Sequence, residues 1–131
     1  MNRESMHWLA AAIFASACGA GTPATEVRGE EENEMMVIRV VVDVRPEHTE
    51  AFVAHLREEA LQVRELDGCE RYELFRDSER EHRFLLYEEW ASREAFDAYR
   101  ESDLLRESFA VLGPMMAGAP DSAYYAVLRP E

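Results

Sequence analysis

The chain contains no lysine, and its 14 basic residues, all arginine, face 27 acidic ones for a net charge of −13. Without a basic surplus there is no electrostatic footprint for tracking phosphates, which excludes nucleic acid as a partner. Cysteine is scarce. Cys18 and Cys69 are the only two, and they stand in such different surroundings that no disulfide framework follows. Glycine-rich phosphate loops, nucleophile elbows and paired zinc motifs are missing as well. No apolar run approaches the roughly 20 residues of a permanent membrane span. What remains is a chain of 131 residues with 47% hydrophobic content, enough for one globular domain and little more.

Residues 1–17 read as an address. Arg3 lies near the start, an apolar core runs over residues 8–14, and Ala15-Ser16-Ala17 precedes Cys18, the layout of a secretory signal. Ala15-Ser16-Ala17-Cys18 also resembles a bacterial lipobox, in which the cysteine becomes the lipid-bearing N-terminus. This predicts an exported protein of the cell envelope, facing the periplasm and held to the membrane only through a lipid anchor at Cys18. The alternatives are ordinary secretion, or a translation start at Met35 or Met36. Residues 18–34 carry Gly, Thr, Pro and the acidic run Glu30-Glu31-Glu32 without apolar period, so they predict a flexible acidic tether.

Residues 35–131 hold the folded domain. Residues 36–44 are nearly continuous in apolar and β-branched side chains, with Arg39 and Asp43 on the face of Val37 and Val41, which predicts a strand covered on both sides. Pro46 opens a helix to about Leu66 whose stripe is Phe52, Leu56, Glu59 or Ala60, and Val63. Gly68 is its stop. Two alternating runs, 69–77 and 83–90, flank a charged turn and predict an antiparallel hairpin. In the second, Phe84, Leu86, Glu88 and Trp90 point one way while Leu85, Tyr87 and Glu89 point the other. Ser92 caps a further helical stripe, broken near Ser102 and Asp103, and residues 122–128 form a last strand. The order β-α-β-β-α-β is that of an α+β, ferredoxin-like split βαβ fold, with four antiparallel strands and helices on one face. Since the strands are apolar on both faces, the uncovered face predicts a homodimer with sheets packed face to face.

The run Gly68-Cys69-Glu70-Arg71-Tyr72-Glu73-Leu74, with Arg83-Phe84-Leu85-Leu86-Tyr87-Glu88-Glu89-Trp90 and Ala95-Phe96-Asp97-Ala98-Tyr99, resembles the antibiotic biosynthesis monooxygenase (ABM) domain. The resemblance implies a dimeric α/β barrel and a range of activities: oxygenation of quinols and anthrones without metal or flavin, isomerisation of small ketones, haem breakdown, or none. Many members carry histidines where this chain has Tyr99 and Ser102-Asp103-Leu104-Leu105. The expectation is a cofactor-independent monooxygenase acting on a quinol-like aromatic; the alternative is a non-catalytic dimeric module that binds a small ligand or serves as a scaffold at the envelope.

Such oxygenation needs an apolar pocket, room for dioxygen and a base for a phenolic proton. Glu88, among Phe84, Leu86 and Trp90, is the first candidate base, because burial raises a carboxyl pKa; otherwise it pairs with Arg39 or Arg71 in the dimer interface. His55, at the edge of the first helical stripe with Glu58 and Glu59 one turn on, is the second candidate. His48, His55 and Glu59 offer metal-like spacing without a further ligand, and no metal is expected. His55 would also be the axial ligand if haem were bound. Tyr72, Trp90, Phe96, Tyr99 and Phe109 are the aromatics placed to line a pocket for a planar ring, and Cys69 is expected to be a structural thiol.

Overall fold

The computed structural model describes residues 33–130; the expected signal segment, Cys18 and nearly all of the tether lie outside them. Strand β1 is Glu34–Asp43 and a 3-10 turn at Pro46–His48 leads into helix α1, Thr49–Val63. Proline's fixed φ and missing N–H suit that first turn, and the Thr49 hydroxyl donates back to the Arg45 carbonyl at 3.2 Å. Phe52, Leu56, Glu59, Ala60 and Val63 form the buried side of α1, a helical period of three and four. The helix stops three residues short of Leu66, whose N–H bonds to the Val63 carbonyl in the closing turn.

Gly68 then takes φ +84°, a left-handed conformation that glycine adopts without a Cβ clash. Strands β2, Cys69–Arg76, and β3, Arg83–Trp90, follow. Asp77 closes their turn by accepting from the N–H groups of Glu79 and Arg80. The expected second helix is two: α2, Arg93–Arg100, capped by Ser92, and α3, Asp103–Leu112, capped by Ser102. Ser102 causes the break, since its extended backbone ends α2 while its hydroxyl accepts from Leu105 N–H and donates to the Tyr99 carbonyl. Strand β4 is Asp121–Leu128.

The four strands form one antiparallel sheet in the order β2-β3-β1-β4, the ferredoxin-like arrangement. Met36, Ile38 and Val42 of β1, Tyr72 of β2, and Phe84 and Trp90 of β3 are buried on the helix side. The opposite face carries Val37, Val41, Leu85 and Tyr87, and includes the exposed rings of Phe75 and Tyr125. Two core clusters, around Trp90 and around Phe84, fill the space between sheet and helices.

Candidate active site

A cavity of about 90 Å³ lies between the sheet and the helix layer. Its floor includes Ile38, Val40 and Leu86, and α1 and α3 add Phe52, Leu56 and Phe109. Two carboxylates, Glu59 and Glu88, interrupt this apolar wall.

The period of the strand sends Glu88 to the helix side of β3 with Phe84 and Leu86, directly across from Ile38 of β1 and Tyr72 of β2. Its carboxylate is buried, and the Trp90 indole N–H donates to Oε1 at 2.8 Å. Burial pushes the Glu88 carboxyl from 4.5 up to about 7; the Trp90 N–H works against this and the nearby Glu59 charge adds to it. The expected pairing with Arg39 or Arg71 does not form. Both arginines stand on the other face, Arg39 with Asp121 at 3.8 Å and Arg71 with Glu73 and Glu89 at 3.4 Å each. Parity decides it: Arg39 lies opposite Tyr87, whereas Ile38 lies opposite Glu88.

Glu59 is solvated very differently. Oε2 accepts from the Tyr72 hydroxyl at 2.8 Å and Oε1 accepts from the Ser108 hydroxyl. His55 Nε2 lies 3.2 Å from Glu59 Oε1 and 3.2 Å from Ser108 Oγ. His55 stands behind Glu59 and outside the cavity lining, with its side chain 29% exposed. The sequence pattern singled out His55 but not Ser108, and it took Glu59 as a stripe position, a neighbour of His55 or a metal ligand. A glutamate on the apolar face of α1, one turn from a histidine, was the signal available; the Ser108 contact spans 49 residues and needs the tertiary fold.

Of the expected ring-lining aromatics, Tyr72, Phe96, Tyr99 and Phe109 border the cavity. Trp90 does not. It lies fully buried behind Glu88, stacked on Tyr99 with centroids 4.9 Å apart. Tyr124 of β4, which the sequence pattern did not single out, joins the lining and packs on Phe96 at 5.6 Å. Burial, followed by the Tyr99 phenol and the Glu59 and Glu88 carboxylates for Tyr72 and by the Glu88 and Glu59 carboxylates for Tyr99, holds both hydroxyls well above the ordinary phenol range. Both therefore act as neutral hydroxyls. The Cys69 thiol is pushed up to about 11, by burial first and Glu88 second, so it remains protonated and is a poor nucleophile. Among the described residues no group of three His, Cys, Asp or Glu side chains is placed to hold a metal ion. Haem does not fit either, because His55 misses the lining and the cavity is too small for a macrocycle.

The family model for antibiotic biosynthesis monooxygenase matches residues 35–110, more than half of the chain. The chain belongs to this family. Among solved structures, it is similar to a candidate antibiotic biosynthesis monooxygenase of Nitrosomonas europaea, with 26% identity, TM-score 0.69, and coverage of 73% of this chain and 92% of that one. A second candidate monooxygenase of the family, from Caulobacter crescentus CB15, gives 25% identity and TM-score 0.70 over 79% and 99% of the two chains. Rv0793 of Mycobacterium tuberculosis, at 24% identity and TM-score 0.68 over 73% and 97%, shows the shared fold. No curated protein matches the chain.

Proposed function

We propose that this ABM-family protein is a cofactor-independent monooxygenase that deprotonates a small quinol-like aromatic and lets the resulting anion react with dioxygen. The observation that supports it is Glu88: a carboxyl inside an apolar cavity, with no arginine partner among the described residues, raised to about 7. Such a group is matched to proton abstraction near neutral pH. In the reaction the phenolate's electron density forms a carbon–oxygen bond to dioxygen. The O–O bond then breaks: one oxygen stays on the attacked ring carbon as a hydroxyl that keeps that carbon's hydrogen, the other leaves as water with the two hydroxyl hydrogens of the diol, and the two diol oxygens become the quinone carbonyls. Tyr72 and Tyr99 supply neutral hydroxyls at the wall, and Phe96 and Phe109 supply ring faces.

The cavity limits the substrate. About 90 Å³ is below the roughly 150 Å³ that accommodates benzene in an apolar core, so even one ring requires the wall to yield. Single-ring diols therefore fit this reading better than fused polycycles. The same small volume favours, as a second reading, a non-catalytic small-ligand module. Oxygen uptake over a panel from methylhydroquinone to menadiol, with the wild type and Glu88→Gln, separates the two. Protein-dependent uptake that Glu88→Gln lowers by about 100-fold supports the base; no uptake across the panel sinks the oxygenase.

The family is typically dimeric, and the apolar sheet face opposite the helices supports a homodimer here too. Export with lipidation at Cys18 is part of the same proposal, resting on the Ala15-Ser16-Ala17-Cys18 pattern. Cys18→Ser should release the protein from the membrane fraction, and unchanged fractionation refutes the anchor.

A further inference from the structure

Glu88 accounts for one carboxylate of the cavity and leaves Glu59 without a task. A carboxylate buried beneath α1 requires its own solvation, and three elements provide it: Tyr72 from β2, Ser108 from α3 and His55 from α1 itself. The line they make has a direction. Tyr72 borders the cavity, and its hydroxyl hydrogen is committed to Glu59 Oε2 at 2.8 Å, so its oxygen presents lone pairs to a guest. At the far end the His55 side chain is 29% exposed. A continuous set of polar contacts thus crosses an otherwise apolar wall from cavity to solvent.

We infer that Tyr72, Glu59, Ser108 and His55 form a proton exit, entered by a phenolic hydroxyl of the bound molecule that donates to the Tyr72 oxygen. The inference rests on the reading above that the cavity receives a phenolic guest, and it narrows the substrate class to diols. Glu88 takes the proton of one acidic position and this line takes that of a second. The guest's O–H bond breaks as its proton moves to the Tyr72 oxygen, while the Tyr72 proton passes to Glu59; the electron pair stays on the guest as phenolate. Glu59, now neutral, turns its proton from the Oε2 to the Oε1 side and gives it to His55 Nε2 across 3.2 Å, or to the Ser108 oxygen as the Ser108 hydroxyl turns its own proton to Nε2, with the His55 ring in its Nδ1–H form. The imidazolium releases its Nδ1 proton to water, and tautomer exchange through solvent returns the ring to its Nδ1–H form, so that every protein group regains its starting state. The groups that face Glu59 are His55, Tyr72 and Ser108 in direct contact, with the Tyr99 hydroxyl of α2 hydrogen-bonded to Tyr72, and the Glu88 carboxylate of β3 and the Arg100 guanidinium of α2, itself paired with Asp97, lining the same cavity.

The test uses 4-nitrophenol, a redox-inert phenol whose colour reports its ionisation, at a pH where the free phenol is mainly protonated. A Glu88→Gln background leaves Glu59 as the only carboxylate among the described residues that line the cavity. Stopped-flow absorbance follows the bound phenolate, and a pH indicator in weakly buffered solution follows the released proton. In that background the phenolate colour and the bulk proton should appear together. Adding His55→Ala should leave the colour step in place and delay the bulk proton by about tenfold or more, and imidazole in solution should restore its rate. Tyr72→Phe should abolish the colour step. Restoration by imidazole is a readout that a merely structural role for His55 would not give. Proton release that is unchanged by His55→Ala, or a delay that imidazole does not relieve, overturns the exit alone. If 4-nitrophenol fails to bind the wild-type protein, the exit and the phenolic reading fall together.

Discussion

Glu59 and Glu88 share one cavity, yet the protein solvates them in opposite ways: Glu59 by two hydroxyls and an imidazole, Glu88 by a single indole N–H. Environment rather than residue type assigns their roles. For Glu88 the consequence for rate is direct, since oxygen uptake by the wild type should rise with pH through about 7 as the base ionises. A flat profile there removes Glu88 from that role. Stability should move the other way. The folded carboxyl titrates near 7 against 4.5 for the free group, so the folded state binds this proton more tightly than the unfolded chain. The resulting stabilisation is complete below about 4.5 and is lost as pH rises through about 7, a span on the order of 3 kcal/mol. Glu88→Gln is neutral throughout, so its unfolding free energy should lack that fall. Urea melts of both proteins at about pH 5 and about pH 8 check this, and parallel changes in the two would contradict it. At this scale the sequence was informative where strand parity rules: Phe84, Leu86, Glu88 and Trp90 share a face, as their alternation implied. It was uninformative on which aromatic touches the cavity, because Trp90 follows the same alternation as Glu88 and yet lies behind it. Only the depth of packing distinguishes them.

At the scale of elements, the joint between α1 and β2 is the most constrained. Gly68 combines a φ of +84° with a Cβ position only 2.4 Å from the Ala95 Cβ of α2, and its carbonyl accepts from Ala91 N–H at 2.7 Å. Gly68→Ala therefore meets both backbone strain and a steric clash, and should lower stability by about 2–4 kcal/mol. Chemical denaturation measures it, and a loss within about 0.5 kcal/mol would show that α2 yields freely. The α2–α3 joint depends on one hydroxyl. Ser102→Ala removes the acceptor for Leu105 N–H and the donor to the Tyr99 carbonyl, at a cost of about 1–2 kcal/mol. Because Tyr99 borders the cavity, the substitution should also weaken ligand binding, whereas an exposed change such as Glu107→Ala should not. The helix stop, the hairpin turn and the Ser92 cap were legible from local chemistry. The division into α2 and α3 showed only as a break in the stripe near Ser102 and Asp103, since such a break permits either a kink or a new helix until the chain is packed.

The molecule as a whole presents two apolar faces of one sheet, and the helices cover only one. On the other, Val41 lies opposite Leu85 and Val37 opposite Tyr125, with Phe75 49% and Tyr125 48% exposed. Charged residues on this surface are paired within it, Arg39 with Asp121, Arg71 with Glu73 and Glu89, and Arg83 with Asp43, between the apolar side chains. A net charge of −13 opposes nonspecific clustering, which leaves a specific, closed association as the favoured way to cover it. Sheet-to-sheet packing of two copies would provide that closure, with a two-fold axis setting each patch against its own copy. Leu85→Asp places a charge at the centre of the patch and points away from the cavity, whose floor at the neighbouring position is Leu86. Sedimentation equilibrium should give the dimer mass for the wild type and the monomer mass for Leu85→Asp, with the far-ultraviolet spectrum retained. A monomeric wild type at micromolar concentration would overturn the dimer. If the variant is monomeric but still binds 4-nitrophenol through Glu88 and Tyr72, then each chain carries a whole cavity, and assembly and chemistry occupy opposite faces of one sheet.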